Sequence, residues 1–130
     1  MKRIKGRVIS KGEAEGEIIL SRKNFSFLGD VDVNTGIVVA DDSDIQGESI
    51  SGKIFVFPYG RGSTVGSYSL LSMKKNGVAP KAIINLECDA VIAVGAIISS
   101  IPLVDKLEED PLKIFRSGNG VRVSDGDILF

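Results

Sequence analysis

The residues best suited to chemistry in this sequence lie in the stretch 60–66, which reads GRGSTVG. Ser63 offers a hydroxyl, and Arg61 offers a planar guanidinium that can hold a carboxylate or a phosphate through two hydrogen bonds. The glycines let the backbone turn tightly and approach a ligand closely. A helix that begins at Ser63 would add N–H groups and a dipole that favour anions. The stretch therefore predicts either an anion site or a plain helix N-cap.

Nucleotide binding is the first alternative for this stretch. A Walker phosphate loop is excluded, because no Gly-Lys-Ser/Thr follows at the required spacing. The glycines run G-x-G-x-x-x-G, one residue longer than the dinucleotide fingerprint, and Asp89 stands where an acid would bind a ribose. However, no βαβαβ array is evident on either side. A free-standing nucleotide- or anion-binding module, or a structural interaction domain without a ligand, stays as an alternative.

The elements around the stretch indicate a strand–turn–helix–strand unit. Apolar runs predict buried strands at 53–59, 82–86 and 90–98. Between the first two, the sequence predicts a helix from Ser63 that ends before Gly77, with Lys74 and Lys75 in its last turn. Its apolar side is predicted to carry Thr64, Tyr68 and Leu71, extended by Leu70 and Met73.

The chain ends predict hairpins. Basic residues alternate with apolar ones over 3–8, acidic ones alternate with apolar ones over 13–20, and Gly12 lies between the two runs. The pattern predicts an N-terminal hairpin with facing charges. Turn signals at Asn119-Gly120 and Asp125-Gly126 predict a closing hairpin. With a further strand expected at 37–40, we predict one α+β or α/β domain over 1–130, built on a mixed sheet.

Composition narrows the classes of function. The chain has 16 Lys+Arg and 17 Asp+Glu, so its net charge of −1 argues against a nucleic-acid partner. The uncharged stretch 90–104 is shorter than the about 18 residues of a membrane-spanning helix, and no leader pattern is seen. We expect a cytoplasmic protein without a membrane partner. With no histidine and one cysteine, Cys88, we expect this chain to bind no zinc and no iron–sulfur cluster by itself.

Other polar residues fit structural roles better than chemical ones. The run from Asp30 to Asn34 begins like a calcium loop, but Thr35 and Asp41 replace the glycine and the bidentate glutamate of that motif. Cys88 is expected to be a half-buried thiol rather than a redox group. Asn85 and Asp89 fit a strand-end turn as well as a cleft.

Three separated motifs resemble the small subunit of the aconitase X family. They are GRGSTVGSY at 60–68, APKAIIN at 79–85, and GAII at 95–98 continuing to IPLVD at 101–105. The resemblance extends over essentially the whole chain and is greatest to the archaeal members. It implies the aconitase swivelling-domain fold, a β/β/α arrangement with a mixed sheet or barrel and few helices.

The resemblance also implies a shared active site. The partner would be a larger catalytic subunit, forming a heterodimer, that carries a 4Fe-4S cluster and most of the site. The reaction would remove water from (R)-5-phosphomevalonate and give trans-anhydromevalonate 5-phosphate, in the archaeal mevalonate route to isoprenoids. The chain alone would be an inactive part of this hydro-lyase.

Within this resemblance, Ser63 is the expected catalytic proton acceptor. Arg61 would hold the substrate carboxylate or phosphate, and Gly62 and Thr64 would add donors. Ordinary aconitases and isopropylmalate isomerases place an arginine after the serine, whereas here Arg61 precedes it, which argues against those enzymes. The related cis-3-hydroxy-L-proline dehydratases stay as an alternative. An apolar interface for the partner is expected, with 25–28 and 97–104 as candidate segments.

Overall fold

The computed structural model describes residues 2–130 and contains eight strands and three helices there. In chain order they are β1 (Arg3–Lys5), β2 (Arg7–Ser10), β3 (Glu13–Leu20), β4 (Ile54–Phe57), α1 (Gly66–Lys75), β5 (Ala82–Asn85), α2 (Ala90–Ile98), β6 (Leu103–Asp105), α3 (Pro111–Ile114), β7 (Gly120–Ser124) and β8 (Asp127–Leu129).

One mixed sheet organises these elements in the order β1-β8-β7-β3-β4-β5-β6-β2. Its two end strands, β1 and β2, are consecutive in the sequence and separated only by Gly6, so the sheet rolls back towards itself like a barrel. A side chain at Gly6 would place its Cβ atom 2.6 Å from Val104 Cγ1 and 2.7 Å from the carbonyl oxygen of Asp105. The mixed sheet with few helices confirms the predicted α+β fold.

The predicted N-terminal hairpin is wrong, although the alternation over 13–17 is right. β1 pairs with β8, β2 with β6 and β3 with β7, all antiparallel. The acidic side chains of β3 meet other partners: Glu13 lies 3.7 Å from Arg122, and Glu17 accepts a hydrogen bond from Lys53 at 2.6 Å. The bend at Gly6 sends β1 and β2 to opposite ends of the sheet, so neither lies beside β3.

The closing hairpin is confirmed. β7 and β8 pair antiparallel, with Arg122 opposite Leu129 and Ser124 opposite Asp127. Asp125 and Gly126 form the turn, and both have positive φ, 46° and 90°. Two consecutive positive φ values match the right-handed twist of the paired strands, which explains the Asp-Gly sequence.

The centre of the sheet is parallel. β4, β5 and β6 are neighbours, with α1 and α2 as the crossovers between them. The strands predicted at 53–59 and 82–86 are confirmed as β4 and β5, but the strand predicted at 90–98 is α2. The segment is apolar on its outer face as well as its inner face, which hides the helical period. The chain thus contains the βαβαβ array that the sequence did not reveal.

Two apolar cores lie on opposite faces of β4. Phe55 and Phe57 face a layer made of α1, α2 and the segment after β3, whereas Ile54 and Val56 face the antiparallel strands and α3. All four side chains are fully buried, so β4 is central in a three-layer β/β/α arrangement. A strand fixed from both sides gives the turn that follows it a rigid base.

Helix α1 begins at Gly66, three residues later than predicted. Ser67, Leu70 and Met73 face the core, while Tyr68 is 67% exposed, so the predicted apolar face at Thr64, Tyr68 and Leu71 is wrong. The helix ends at Lys75 as expected, followed by Gly77 with φ +74°. A glycine in this left-handed conformation is the usual helix stop.

The segment between β3 and β4 is irregular but well packed. The strand predicted at 37–40 is wrong, because the segment makes only the isolated bridges Val31–Val38 and Ile37–Ser49. Phe25 and Phe27 are buried in the core, so most of 25–28 cannot form the expected interface. No helix among residues 2–130 is long and apolar enough to cross a bilayer.

Candidate active site

The turn that carries Ser63 leaves the carboxyl end of β4, at the sheet edge where ligands of parallel α/β units bind. Gly60 and Gly62 of this turn have no room for a side chain, because atoms of other segments lie close to them. A Cβ atom at Gly60 would lie 2.7 Å from Asp89 Oδ2, and one at Gly62 would lie 2.7 Å from Ser26 Oγ. Gly62 also has φ +95°, which disfavours any other residue. The turn is therefore held between the start of α2 and the loop after β3.

Ser63 lies at the exposed apex of this turn. The predicted N-cap position is wrong, because the N-cap of α1 is Val65, whose side chain cannot cap the helix. The hydrogen bond expected of Ser63 is nevertheless present: its Oγ accepts the N–H two residues on, that of Val65, at 3.2 Å, and its carbonyl accepts the Gly66 N–H at 3.0 Å. A hydrogen bond donated to the hydroxyl oxygen stabilises its negatively charged form more than its neutral form.

The turn that carries this hydroxyl also holds backbone donors without a protein acceptor. In the part of the chain that the structure describes, the N–H groups of Gly62, Ser63 and Thr64 donate to no protein acceptor. They are consecutive, exposed and just ahead of the positive end of α1, whose first turn carries no acidic residue. Successive free N–H groups in a turn favour an anion, so these three donors contribute positive potential near Ser63.

Arg61 is anchored by a carboxylate that the sequence did not connect to it. Its Nη2 lies 2.8 Å from Asp30 Oδ1 and 3.0 Å from Asp30 Oδ2, and its Nε points to the carbonyl of Asn24 at 3.4 Å. Asp30 is almost buried and also accepts the Ser26 N–H at 2.8 Å. Half of the Arg61 side chain is exposed, so Asp30 fixes the guanidinium while part of it faces solvent.

The start of α2 forms the other side of the turn. Asp89 is the N-cap of α2 and accepts the Ile92 N–H at 2.9 Å, so it has the structural role expected of a strand-end residue. Asn85 is fully buried and donates to the carbonyl of Phe57 at 3.0 Å, which removes it from the surface of any cleft. Its Oδ1 has no hydrogen-bond partner among the described residues.

A second arginine–aspartate pair lies at the end of β6. Arg7 donates to Asp105 through Nε at 2.9 Å and through Nη2 at 2.8 Å, and the fully buried Asp105 also accepts the Cys88 N–H at 2.7 Å. Burial, followed by the charges of Asp105 and Asp89, raises the pKa of Cys88 to about 12. The thiol is thus protonated at neutral pH and a poor nucleophile, as expected from the sequence.

The donor set does not fit an iron–sulfur cluster. The one cysteine is half-buried, its Sγ lies 3.3 Å from the carbonyl oxygen of Asp89, and its pKa disfavours the thiolate that iron requires. Within residues 2–130, no group of three or more His, Cys, Asp or Glu side chains is placed to hold a metal ion. The calcium-like run at Asp30 instead provides the carboxylate for Arg61.

Comparison with known proteins places this arrangement in a family. The family model described as "Aconitase X swivel domain" matches residues 3–129. The chain belongs to the aconitase X swivel domain family. The family assignment made from the three motifs is therefore confirmed.

Relatives of this swivel domain agree over nearly its whole length. The small subunit of phosphomevalonate dehydratase from Methanosarcina acetivorans is 57% identical over 122 residues, which are 94% of this chain and 85% of the relative. The same subunit from Pyrococcus furiosus is 57% identical over 96% of this chain and 90% of the relative. The crystal structure of Thermococcus kodakaraensis aconitase X in its holo-form matches with a TM-score of 0.94 and 52% identity, covering 99% of this chain and 98% of that chain.

The swivel domain brings all four predicted site residues together on one exposed turn. Arg61, Gly62, Ser63 and Thr64 are all accessible, and the role of each stays a prediction. Sequence reasoning missed Asp30 as the anchor of Arg61, because 31 residues and a change of element separate the two. It also missed α2, for which the Asp89 N-cap was the available signal.

Proposed function

We propose that this chain is the small subunit of a phosphomevalonate dehydratase, a hydro-lyase of the archaeal mevalonate pathway. The names of relatives that are 57% identical over 94–96% of the chain support this function. The observation that carries the local chemistry is the exposed Ser63 hydroxyl, which accepts a backbone N–H at 3.2 Å and is flanked by free donors.

Ser63 removes the proton from the carbon beside the substrate carboxylate. A serine hydroxyl is a weak base unless its alkoxide is stabilised, and two features of the turn provide that stabilisation. They are the Val65 N–H, which donates to Ser63 Oγ, and the positive end of α1. The electron pair left on carbon forms the double bond as the C–O bond to the hydroxyl group breaks. The departing hydroxide takes up the proton that Ser63 has removed and leaves as water, which restores the alkoxide.

Arg61, Gly62 and Thr64 bind the substrate. The substrate is an anion at both ends, with a carboxylate and a phosphate, and Arg61 and the free N–H groups match one of these groups. Because Asp30 already contacts Nη2 of Arg61, the exposed part of the guanidinium is what remains for the ligand. Asp30 therefore fixes the guanidinium of Arg61 two residues before Ser63 and leaves part of it exposed.

The site is completed by a partner subunit. Loss of a tertiary hydroxyl group requires a Lewis acid, and the donors of this chain do not hold one, so we assign a 4Fe-4S cluster to a large subunit in a heterodimer. The designation "small subunit" in the names of the relatives supports such a partner. The chain alone is then inactive, and its cytoplasmic location stays a prediction.

Anaerobic reconstitution tests this function. The purified chain is mixed with its cognate large subunit, and loss of water is measured separately from (R)-5-phosphomevalonate and from cis-3-hydroxy-L-proline. We expect dehydration of the phosphorylated acid by the mixture and no product from either subunit alone. Preference for the hydroxyproline would place the chain with the related dehydratases, and activity of the chain alone would contradict the shared site.

A further inference from the structure

The helices α1 and α2 leave an apolar groove of about 490 Å³ on the outer surface. Its walls include Val65, Tyr68, Val91, Val94 and Ile98, and none of its lining residues carries a charge. Tyr68 is 67% exposed and Val94 is 49% exposed. The groove therefore presents large apolar side chains to solvent beside the turn that holds Ser63.

Exposed apolar side chains are concentrated on these two helices. Among the described residues ten large hydrophobic side chains are exposed, and half of them lie on or next to α1 and α2: Val65, Tyr68, Val94, Ile97 and Ile98. Isolated exposed apolar residues are common on proteins, but a contiguous patch usually marks a surface that another protein covers. Four of the five, Val65, Tyr68, Val94 and Ile98, line the groove, whereas Ile97 lines a separate depression with Ile9 and Lys11.

The two helices that form the groove pack closely against each other. A Cβ atom at Gly95 would lie 3.2 Å from Leu70 Cδ2 and 3.2 Å from Ser67 Cα, so the two helices approach as closely as their backbones allow. Ser67 Oγ also donates to the carbonyl of Val91 at 2.7 Å. A preformed groove loses little conformational freedom on binding, which favours a stable complex.

We propose that this groove is the docking site for an apolar segment of the large subunit. This inference rests on the proposed function. Thr64 and Val65 line the groove directly after Ser63, so a subunit that brings its cluster to Ser63 also reaches the groove. A second copy of this chain seated there would occupy the space beside Ser63 that the large subunit needs. The uncharged lining selects an apolar segment of the partner.

A substitution at Ile98 tests docking without altering the turn that carries Ser63. Ile98 lies eight residues after Ala90, the first residue of α2, and therefore about 12 Å along the helix from the end that packs against Gly60. Ile98→Lys places a charge in the groove, and lysine suits the last turn of a helix, so folding is preserved. Ile37 is the matched control, an isoleucine of similar exposure, 40% against 45%, in a segment that does not line the groove.

The test measures the dissociation constant for the cognate, cluster-loaded large subunit by calorimetry under anaerobic conditions. We expect Ile98→Lys and Val94→Lys each to raise it about tenfold or more, and Ile37→Lys to change it less than about twofold. Unchanged melting temperatures confirm folding. Wild-type affinity in both groove variants would overturn the proposal, as would a dimer of the isolated chain that Ile98→Lys dissociates.

Failure of this proposal is distinguishable from failure of the proposed function. If the wild-type subunits bind each other, the groove variants weaken that binding, and no water is removed from (R)-5-phosphomevalonate, then docking holds and the reaction is wrong. If the mixture dehydrates this acid and both groove variants bind normally, then the reaction holds and the groove is not the docking site.

Discussion

Two arginine–aspartate pairs at the same edge of the sheet have different consequences. Both contain an Nη2–carboxylate contact of 2.8 Å, and the arginine side chains are similarly exposed, 49% for Arg7 and 46% for Arg61. Arg7 uses two nitrogens to meet both oxygens of Asp105, whereas Arg61 contacts Asp30 with Nη2 alone. The first pair fastens strands together, and the second orients a guanidinium beside Ser63.

The neighbours of each carboxylate explain the difference. Asp105 is fully buried and also fixes the Cys88 N–H, so the pair joins β2, β6 and the loop before α2. Asp30 fixes the Ser26 N–H, and Arg61 is part of an exposed glycine turn. The same chemical pair therefore stabilises the fold at one place and, in the proposed function, positions a substrate-binding group at the other.

The largest expected effect is on the alkylation rate of the Cys88 thiol, which lies beside the Arg7–Asp105 pair. The pKa of Cys88 is about 12 because of burial and the nearby carboxylates. At pH 8 the folded chain should react with iodoacetamide about a thousandfold more slowly than the urea-unfolded chain, because its thiolate is that much rarer. The folded rate should rise about tenfold per pH unit below pH 12. Equal rates for the folded and unfolded chains would show that the Cys88 thiol is accessible to solvent, which would contradict its burial.

The arginines themselves should differ in activity. Arg61→Ala should lower kcat/KM of the reconstituted enzyme about a hundredfold, because a charged donor to the substrate is lost. Arg7→Ala should leave kcat/KM within about threefold and instead lower the melting temperature. Equal activity losses in steady-state kinetics would contradict the division of roles between the two pairs.

The aspartate of the structural pair should dominate stability. Asp105→Ala should cost about 2–3 kcal/mol of unfolding free energy, because it leaves the Cys88 N–H and the inner edge of Arg7 without an acceptor. Asp105→Asn keeps an acceptor and should cost less. Urea titration followed by circular dichroism measures both variants, and a cost below about 0.5 kcal/mol for Asp105→Ala would contradict the structural role.

Asp30 should give the smallest effect of the set. Asp30→Asn keeps an oxygen for the Ser26 N–H but removes the charge that holds Arg61. We expect kcat/KM to fall about tenfold, mostly through KM, with little change in the urea midpoint. Higher activity in this variant would mean that Asp30 competes with the substrate for Arg61, rather than positioning it.

The two regions also differ in how far the sequence could predict them. The turn at 60–66 was found from residue types alone, because glycine, arginine and serine in a short stretch have local meanings. Asp30 is distant in the sequence from Arg61, and Asp105 is distant from Arg7. The β7–β8 hairpin is local, but its pairing with β3 and β1 is not, and no local pattern connects these partners. The N-terminal hairpin failed for the same reason, since the bend at Gly6 decides the pairing and has no periodic signal.

The helix α2 shows a different limit. Its buried face, with Ile92, Gly95 and Ala96, has helical spacing, but Val94, Ile97 and Ile98 on the outside are equally apolar. Periodicity detects a helix only when one face is polar. A helix that packs on the core with one face and on the proposed partner with the other is apolar on both faces. The sequence of one subunit therefore does not show its helical periodicity.

The most direct test of the account is the rate of (R)-5-phosphomevalonate dehydration by the reconstituted enzyme with Ser63→Ala. Ser72→Ala is the matched control, an exposed serine on α1 whose position is remote from the turn. We predict that Ser63→Ala lowers kcat about a thousandfold while subunit affinity is unchanged, and that Ser72→Ala retains wild-type kcat. A kcat for Ser63→Ala within about threefold of wild type would contradict the assignment of this hydroxyl as the proton acceptor.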